Sequence, residues 1–234
     1  MLVSNAVAAT LSELGVDTVF GLVGSGNFHV TNALIANGAR FVAARHEGGA
    51  ASMADGWARL TGRPGILSVH QGPGLTNAMT GITEAAKSRT PLLVLAADVA
   101  ASATTSNFRI DVAALARSVG AVPARLQSAG FAVDDTLRAY RTAVQERRTV
   151  ILALPLDVQA GECTMPPASQ LRLTGAFRRT LRQENRSKLI GHAQLRVEVG
   201  GDVQQRIQQL IVLGALMVPA AEILHRSCPV NVRQ

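Results

Sequence analysis

Short apolar runs alternate with helical stretches along the first 160 residues of the chain. The apolar runs predict six buried strands, at residues 18–22, 40–43, 65–69, 92–96, 121–124 and 149–154. The stretches around them predict helices near residues 3–14, 28–37, 48–60, 75–87, 112–118 and 136–146. Continuous apolar strands are typical of a parallel sheet that is covered on both faces. We therefore expect an α/β fold, a three-layer, doubly wound, mostly parallel sheet of about six strands with helices on both faces and ligands at the carboxyl ends of the strands.

This pattern ends at Pro166-Pro167, which predicts a domain boundary close behind the two prolines. Residues 1–168 are the predicted α/β domain, and residues 169–234 are a predicted linker and basic tail that is irregular or partly helical. Most of the net charge of +7 belongs to the tail, since residues 1–170 carry +1 and residues 171–234 carry +6. The tail has no helix-turn-helix, zinc or RNA-domain motif, and 3% of the residues are aromatic. We therefore expect no nucleic-acid partner.

The cysteines and the start of the sequence bear on the compartment. Cys163 and Cys228 form neither a metal-type pair nor a disulfide framework. The first residues lack a basic segment followed by a long apolar core, so they do not resemble a signal peptide. No run of about 18 apolar residues occurs, so we expect no membrane span. These features favour a cytoplasmic protein in a reducing compartment.

Three strand-to-helix loops carry the residues best suited to chemistry. Glu47 places a carboxylate at a strand end, where it is either an acid–base group or a side chain that favours the helix N-terminal dipole. Gly72 and Gly74 permit a tight turn that either exposes N–H groups to an anion or cofactor or is merely a turn. The loop at residues 21–26 has the order Gly-x-x-Gly-x-Gly, which is a poor match to a nicotinamide-binding fingerprint.

Taken in order, these loops resemble the thiamine diphosphate-dependent decarboxylases and carboligases, and acetolactate synthase large subunits in particular. The resemblance rests on Phe20-Gly21 with its glycine loop, Arg45-His46-Glu47-Gly48 with the small residues that follow, and Gly72-Pro73-Gly74 with Thr76-Asn77. It continues through Ile82, Ala85, Pro91 and residues 150–157. Residues 1–168 thus resemble the N-terminal, pyrimidine-binding domain of this family.

The resemblance implies that the chain binds thiamine diphosphate and takes part in the decarboxylation and carboligation of a 2-oxo acid. In the family, the glutamate that matches Glu47 hydrogen-bonds N1′ of the aminopyrimidine and favours the tautomer that deprotonates the thiazolium. Glu47 is therefore the expected catalytic residue. Cofactor contacts are expected from Gly21, Gly24, Glu47, Gly72, Pro73, Gly74 and Asn77. Substrate contacts are expected from Gly24, Ser25, His70, Gln71, Phe108 and Arg109.

Three of these positions depart from the acetolactate synthases. His70 and Gln71 stand where the synthases usually carry small residues, and Arg109 follows Phe108 where they typically carry glutamine. His70 is either a substrate contact or a buried histidine with a backbone partner. The departures leave the identity of the 2-oxo acid open.

The resemblance also implies domains that the sequence does not show. Family members hold the diphosphate through Mg²⁺, using Gly-Asp-Gly and an Asn pair in a third domain. The candidate here, Gly201-Asp202-Val203, lacks the last glycine, so we expect no metal ligand in this chain. The resemblance disappears from about Arg182, and a shifted reading frame or a foreign end is one hypothesis for the tail. We expect an enzyme domain that is truncated and inactive alone, with Mg²⁺ supplied through a missing or separate domain. FAD, which the synthases bind, stays open as a second cofactor, although these residues give it no support.

Two other functions stay open. The chain is alternatively the pyrimidine-binding subunit of a two-chain 2-oxo acid decarboxylase, whose partner subunit supplies the diphosphate domain. It is alternatively a non-catalytic regulatory or decoy subunit. The expected protein partner is a second copy of the chain or that separate subunit, with no membrane partner.

Overall fold

The structure, a computed structural model, describes residues 1–167 and Leu171. Its strands are β1 Thr18–Gly21, β2 Arg40–Ala43, β3 Gly65–Val69, β4 Leu92–Asp98, β5 Val122–Arg125 and β6 Thr149–Pro155. Its helices are α1 Val3–Glu13, α2 Phe28–Ala36, α3 Glu47–Thr61, α4 Pro73–Lys87, α5 Val112–Ser118, α6 Ala132–Gln145 and α7 Leu156–Gln159. A short 3₁₀ turn, Ala129–Phe131, precedes α6.

The six strands form one sheet in the order β2-β1-β3-β4-β6-β5. Every pairing in it is parallel. Helices α1, α2 and α6 contribute to the apolar core on one face, and α3, α4 and α5 contribute to the core on the other. The predicted α/β, doubly wound sheet with helices on both faces is thus confirmed.

Successive side chains of the central strands alternate between the two faces of the sheet, so each strand contributes to both apolar cores. Leu93 and Leu95 of β4 pack with the first core, whereas Leu92 and Val94 pack with the second. Successive side chains of a strand point to opposite faces, so a continuous apolar run fills both layers.

The expectation that all six strands are buried is wrong for two of them. Arg40 and Ala43 of β2 are exposed, and Val122, Pro123 and Ala124 of β5 are only partly buried. These two strands lie at the edges of the sheet. A short apolar run predicts a strand, but it does not reveal whether another strand pairs with its outer edge.

The order of the strands creates a switch point between β1 and β3. From β1 the chain passes through α2, on the first face, to the edge strand β2. It then returns to β3, beside β1, and continues into α4 on the opposite face. The loops after β1 and β3 therefore diverge, and such a crevice at the carboxyl ends of strands is where ligands bind in open α/β sheets.

The predicted tail lies outside the described residues. This applies to residues 172–234, and with them to Gly201-Asp202-Val203, Arg182 and Cys228. Leu171 is described, and it packs in a small apolar cluster with Ala6 of α1 and with Val133 and Leu137 of α6. Within the described part of the chain, no helix has the length and apolar character needed to cross a membrane.

Candidate active site

The loops after β1 and β3 meet at the switch point through His70. The N–H of Gly26 donates a hydrogen bond to His70 Nδ1 at 3.1 Å. A Cβ atom on residue 24 would lie 2.8 Å from His70 Cγ, and one on residue 74 would lie 2.9 Å from His70 Cβ. Glycines at these positions let the imidazole lie directly against both loops.

Glu47 is the first residue of α3 and is almost buried, with 7% of its surface exposed. Its Oε2 accepts a hydrogen bond of 3.1 Å from Asn77 Nδ2 of α4. At the start of α3, the backbone N–H of Gly48 donates a hydrogen bond to His46 Nδ1 at 3.0 Å, so it needs no acceptor from Glu47. His46 caps the helix, and the Glu47 carboxylate is hydrogen-bonded to α4 instead. Favourable interaction with the helix dipole alone does not account for that orientation.

The second oxygen of Glu47 faces the glycine turn. Glu47 Oε1 lies 3.6 Å from the position that a Cβ atom on residue 74 would occupy. It accepts no hydrogen bond from the residues that the structure describes. A carboxylate so nearly removed from water favours a hydrogen-bond donor at each oxygen. The space beside Gly74 therefore suits a ligand that presents an N–H group to Oε1.

The first residue of the Gly72-Pro73-Gly74 turn has to be glycine for two reasons, its backbone conformation and its close contact with Phe108. Gly72 has φ of +59°, and a Cβ atom there would lie 2.7 Å from the carbonyl oxygen of Phe108. Pro73 then begins α4, where its missing N–H costs no helical hydrogen bond. Glycine at residue 72 thus satisfies both the positive φ and the close approach of the Phe108 backbone.

Gly21 is buried at the end of β1, whereas the loop that follows it is partly exposed. Gly21 is the last residue of β1 and is buried, and a Cβ atom there would lie 2.3 Å from the Ser68 carbonyl oxygen. This predicted cofactor contact is thus placed inside the sheet. Gly24 lies in the loop itself, against His70, and Ser25 is exposed.

His70 has the backbone partner of one of its two predicted roles, whereas contact with a substrate stays a prediction. It has a backbone partner in Gly26, yet its side chain is only partly buried. Partial burial lowers the pKa of His70 from its ordinary value, while the nearby Glu47 carboxylate opposes this shift. Phe108 packs edge-on against the imidazole, with 5.2 Å between the ring centroids. The imidazole is therefore held on several sides and is largely neutral near pH 7.

Gln71 and Arg109 lie in contrasting environments. Gln71 is 5% exposed, and its Oε1 is buried without a hydrogen-bond partner among the described residues. Arg109 is exposed and lines an open cavity of about 780 Å³ together with Asp98 and Arg125. That cavity lies beside β4, β5 and α5 rather than at the switch point. Phe108, which precedes Arg109, is the predicted residue that touches His70.

Two residues that sequence reasoning missed hold the loop after β1. Asn27 Oδ1 accepts from the Gly24 N–H at 2.8 Å, and its Nδ2 donates to Leu22 and Ser68. Gln159 Nε2 donates to the Gly26 carbonyl oxygen at 3.2 Å. An Asn directly before a helix is a local signal that could have been noticed. Gln159 gives no such signal, since its partner lies 133 residues away.

No cluster of three or more His, Cys, Asp or Glu side chains that could hold a metal ion occurs among residues 1–167.

Comparison with known proteins gives matches that include the whole switch point. The family model described as thiamine pyrophosphate enzyme, N-terminal TPP binding domain, matches residues 1–116. The chain is 36% identical over 161 residues to a probable 2-ketoarginine decarboxylase of Pseudomonas aeruginosa, a match that covers 66% of this chain and 29% of that protein. It is 26% identical to an acetolactate synthase of Mycobacterium bovis, with 99% of this chain and 40% of that protein covered.

A solved structure shares the fold. The thiamine diphosphate-dependent 4-hydroxybenzoylformate decarboxylase of Rhodococcus jostii RHA1 superposes with a TM-score of 0.65 and 28% sequence identity, over 73% of this chain and 33% of that one. The chain thus spans between about a quarter and two fifths of the length of these relatives. The Mycobacterium bovis alignment extends past Arg182, where the motif resemblance ends.

Proposed function

Residues 1–116 belong to the thiamine pyrophosphate enzymes as their N-terminal TPP binding domain, and on this premise we propose that the chain binds the aminopyrimidine end of thiamine diphosphate at the β1–β3 switch point. The proposed reaction is the decarboxylation of a 2-oxo acid, with or without carboligation, as in an acetolactate synthase-like enzyme. A cofactor bound there would supply the nucleophilic carbon that decarboxylation of a 2-oxo acid needs.

The orientation of Glu47 is the observation that carries this proposal. Its carboxylate is almost buried, is held at Oε2 by Asn77, and keeps Oε1 beside the gap at Gly74. Such a carboxylate is suited to accept a hydrogen bond from a ring nitrogen, and to stabilise the proton there. The glycine turn lets a flat ring approach the backbone, because a side chain on residue 72 or 74 would fill the space.

His70 is the proposed group that faces the substrate. Its Nδ1 accepts from Gly26, so the neutral imidazole carries its proton on Nε2. His70 can therefore donate that proton in a hydrogen bond to a carbonyl or carboxylate oxygen. Gln71, Ser25 and Phe108 are further proposed substrate contacts, as is Arg109, which lines the separate cavity beside β4, β5 and α5.

The proposed contacts at the switch point hold the aminopyrimidine end of the cofactor and assign no ligands to its diphosphate end or to Mg²⁺. We propose that a separate surface supplies them, from another subunit or another domain. The two-chain decarboxylase is one version of this arrangement, and a homo-oligomer is another. Residues 1–168 then act as the pyrimidine-binding unit in either case.

The test is a titration of the full chain with thiamine diphosphate and Mg²⁺, followed by saturation-transfer NMR of the pyrimidine protons and by calorimetry. The wild type is expected to bind, and Glu47→Gln to weaken binding by roughly tenfold or more, since a hydrogen bond to a charged acceptor contributes about 1.5–3 kcal/mol. Glu13→Gln is the matched control, because Glu13 lies exposed at the end of α1.

Circular dichroism checks that each variant folds. Equal binding by the wild type and the folded Glu47→Gln variant would contradict the proposal, as would no detectable pyrimidine contact with the wild type.

A further inference from the structure

Gln159 connects two strand ends that are far apart in the sequence. It is the last residue of α7 and is 4% exposed. Its Nε2 donates to the carbonyl oxygen of Leu154 in β6 at 2.7 Å and to that of Gly26 at 3.2 Å. One buried amide therefore fixes the loop after β1 to the carboxyl end of β6.

The residue that Gln159 holds, Gly26, also donates a hydrogen bond to His70. The carbonyl of Gly26 accepts from Gln159, and the N–H of the same residue donates to His70 Nδ1 at 3.1 Å. A Cβ atom on residue 26 would lie 1.5 Å from Gln71 Oε1 and 3.0 Å from Ala97 Cβ, so a larger residue here would have to displace the Gln71 side chain. Because glycine has no side chain, the backbone of Gly26 can adopt many conformations. The hydrogen bond from Gln159 restricts this conformational freedom.

The N–H of Gly26 determines which nitrogen of His70 carries the proton. A neutral imidazole has one N–H and one acceptor nitrogen, and the other bond made by the ring selects between the two tautomers. Because Gly26 donates to Nδ1, the Nε2–H tautomer is favoured. Movement of Gly26 would remove this preference.

We infer that Gln159 is a positioning residue that acts through Gly26 to fix the tautomer and orientation of His70. The importance of His70 for a substrate rests on the proposed function, whereas its placement by Gln159 rests on the contacts alone. A merely structural Gln159 would stabilise the end of β6 without any effect on the His70 tautomer.

The experiment measures the tautomer directly, in the full chain without cofactor or substrate. Long-range proton–nitrogen NMR spectra of ¹⁵N-histidine-labelled protein are recorded at mildly alkaline pH, where imidazoles are neutral. The His70→Asn variant assigns the signal among the five histidines. Gln159→Leu removes the amide donor, and Gln145→Leu makes the same exchange at the exposed end of α6.

We expect the wild type and Gln145→Leu to show the Nε2–H form of His70 in excess. In Gln159→Leu the ratio should move about fivefold towards the Nδ1–H form, the change that loss of one ordinary hydrogen bond produces. Thermal unfolding is recorded for all variants. Gln159→Met, which is unbranched, replaces Gln159→Leu if the latter does not fold.

A folded Gln159 variant with the wild-type tautomer ratio and a lower unfolding temperature would overturn the inference and leave Gln159 a structural role. A wild-type His70 in the Nδ1–H form would overturn it as well. Neither result depends on cofactor binding, so failure of the proposed function in the Glu47→Gln titration would be recognised separately.

Discussion

At the level of single residues, the partial burial of His70 couples the site to pH. Its pKa is lowered from the ordinary value of 6.5, chiefly by burial, and the Glu47 carboxylate opposes the shift. The folded chain therefore releases this proton at a lower pH than the unfolded chain does. Between the two pKa values the unfolded state binds more protons, so acidification favours unfolding.

We predict that the free energy of unfolding falls as the pH drops below about 6.5 towards the lowered pKa of His70. The His70→Gln variant should lose part of this dependence, since it removes the titrating group. Urea unfolding at a series of pH values measures the effect, and His29→Gln, at an exposed position of α2, is the control. The prediction fails if His70→Gln has the same acid dependence as the wild type.

The residues of the site differ in how far sequence alone could place them. Glu47, Asn77 and the Gly72-Pro73-Gly74 turn follow predicted strands closely, and the structure brings them together. Gln159 was not predicted, because its contact with Gly26 depends on β6 lying near β1 in the folded sheet. Local patterns report what a residue does in its own element, and they do not report a partner from a distant loop.

At the level of elements, Gly81 permits a close approach of α3 and α4. A Cβ atom on Gly81 of α4 would lie 2.7 Å from Ala51 Cβ and 3.0 Å from the backbone nitrogen of Ser52 in α3. Glu47 begins α3 and Asn77 lies on α4, so this contact also sets the relation between two residues of the site. Overpacking here would separate the helices.

Replacing glycine by alanine should therefore have opposite effects on the free energy of unfolding at residues 81 and 56. Gly81→Ala should lower the free energy of unfolding by about 1–3 kcal/mol through overpacking. Gly56→Ala, in the interior of α3 with no atom within 4 Å of the added Cβ, should raise it by about 0.5–1 kcal/mol through higher helix propensity. Denaturant unfolding of both variants checks the pair. A stabilising Gly81→Ala would show that α3 and α4 accommodate the methyl group without cost.

Hydrophobic periodicity located most elements but not their ends. All six predicted strands exist, yet β4 continues to Asp98 and β6 to Pro155. Helix α6 begins at Ala132, four residues before its predicted start, and α7 was missed because four residues are too few for a helical period. Turn residues and caps move a boundary without changing the apolar pattern that identifies the element.

At the level of the whole molecule, the order of the strands is information that no single segment contains. The αβ alternation predicts a parallel sheet, but it does not determine that β3 lies between β1 and β4, or that β6 precedes the edge strand β5. This order creates the switch point and brings the loops of Gly26 and His70 together. The site is therefore a property of the topology as much as of its residues.

The extent of the domain is a whole-molecule feature that Leu171 makes testable. The predicted boundary at residue 168 leaves out Leu171, although its side chain is 2% exposed in a cluster with Ala6, Val133 and Leu137. We predict that Leu171→Ala in the full chain lowers the free energy of unfolding by about 2 kcal/mol or more. Leu60→Ala is the matched control, and since Leu60 is 83% exposed it should change stability by less than about 0.5 kcal/mol.

Fragments of the chain test the same boundary. A fragment of residues 1–175 keeps Leu171, whereas a fragment of residues 1–168 loses it and uncovers the apolar surface between α1 and α6. The longer fragment should therefore unfold at a higher denaturant concentration, and Leu171→Ala within it should bring its midpoint close to that of the shorter fragment. Equal midpoints for the two unsubstituted fragments would instead support the boundary at residue 168, with Leu171 adding nothing to the stability of the α/β domain.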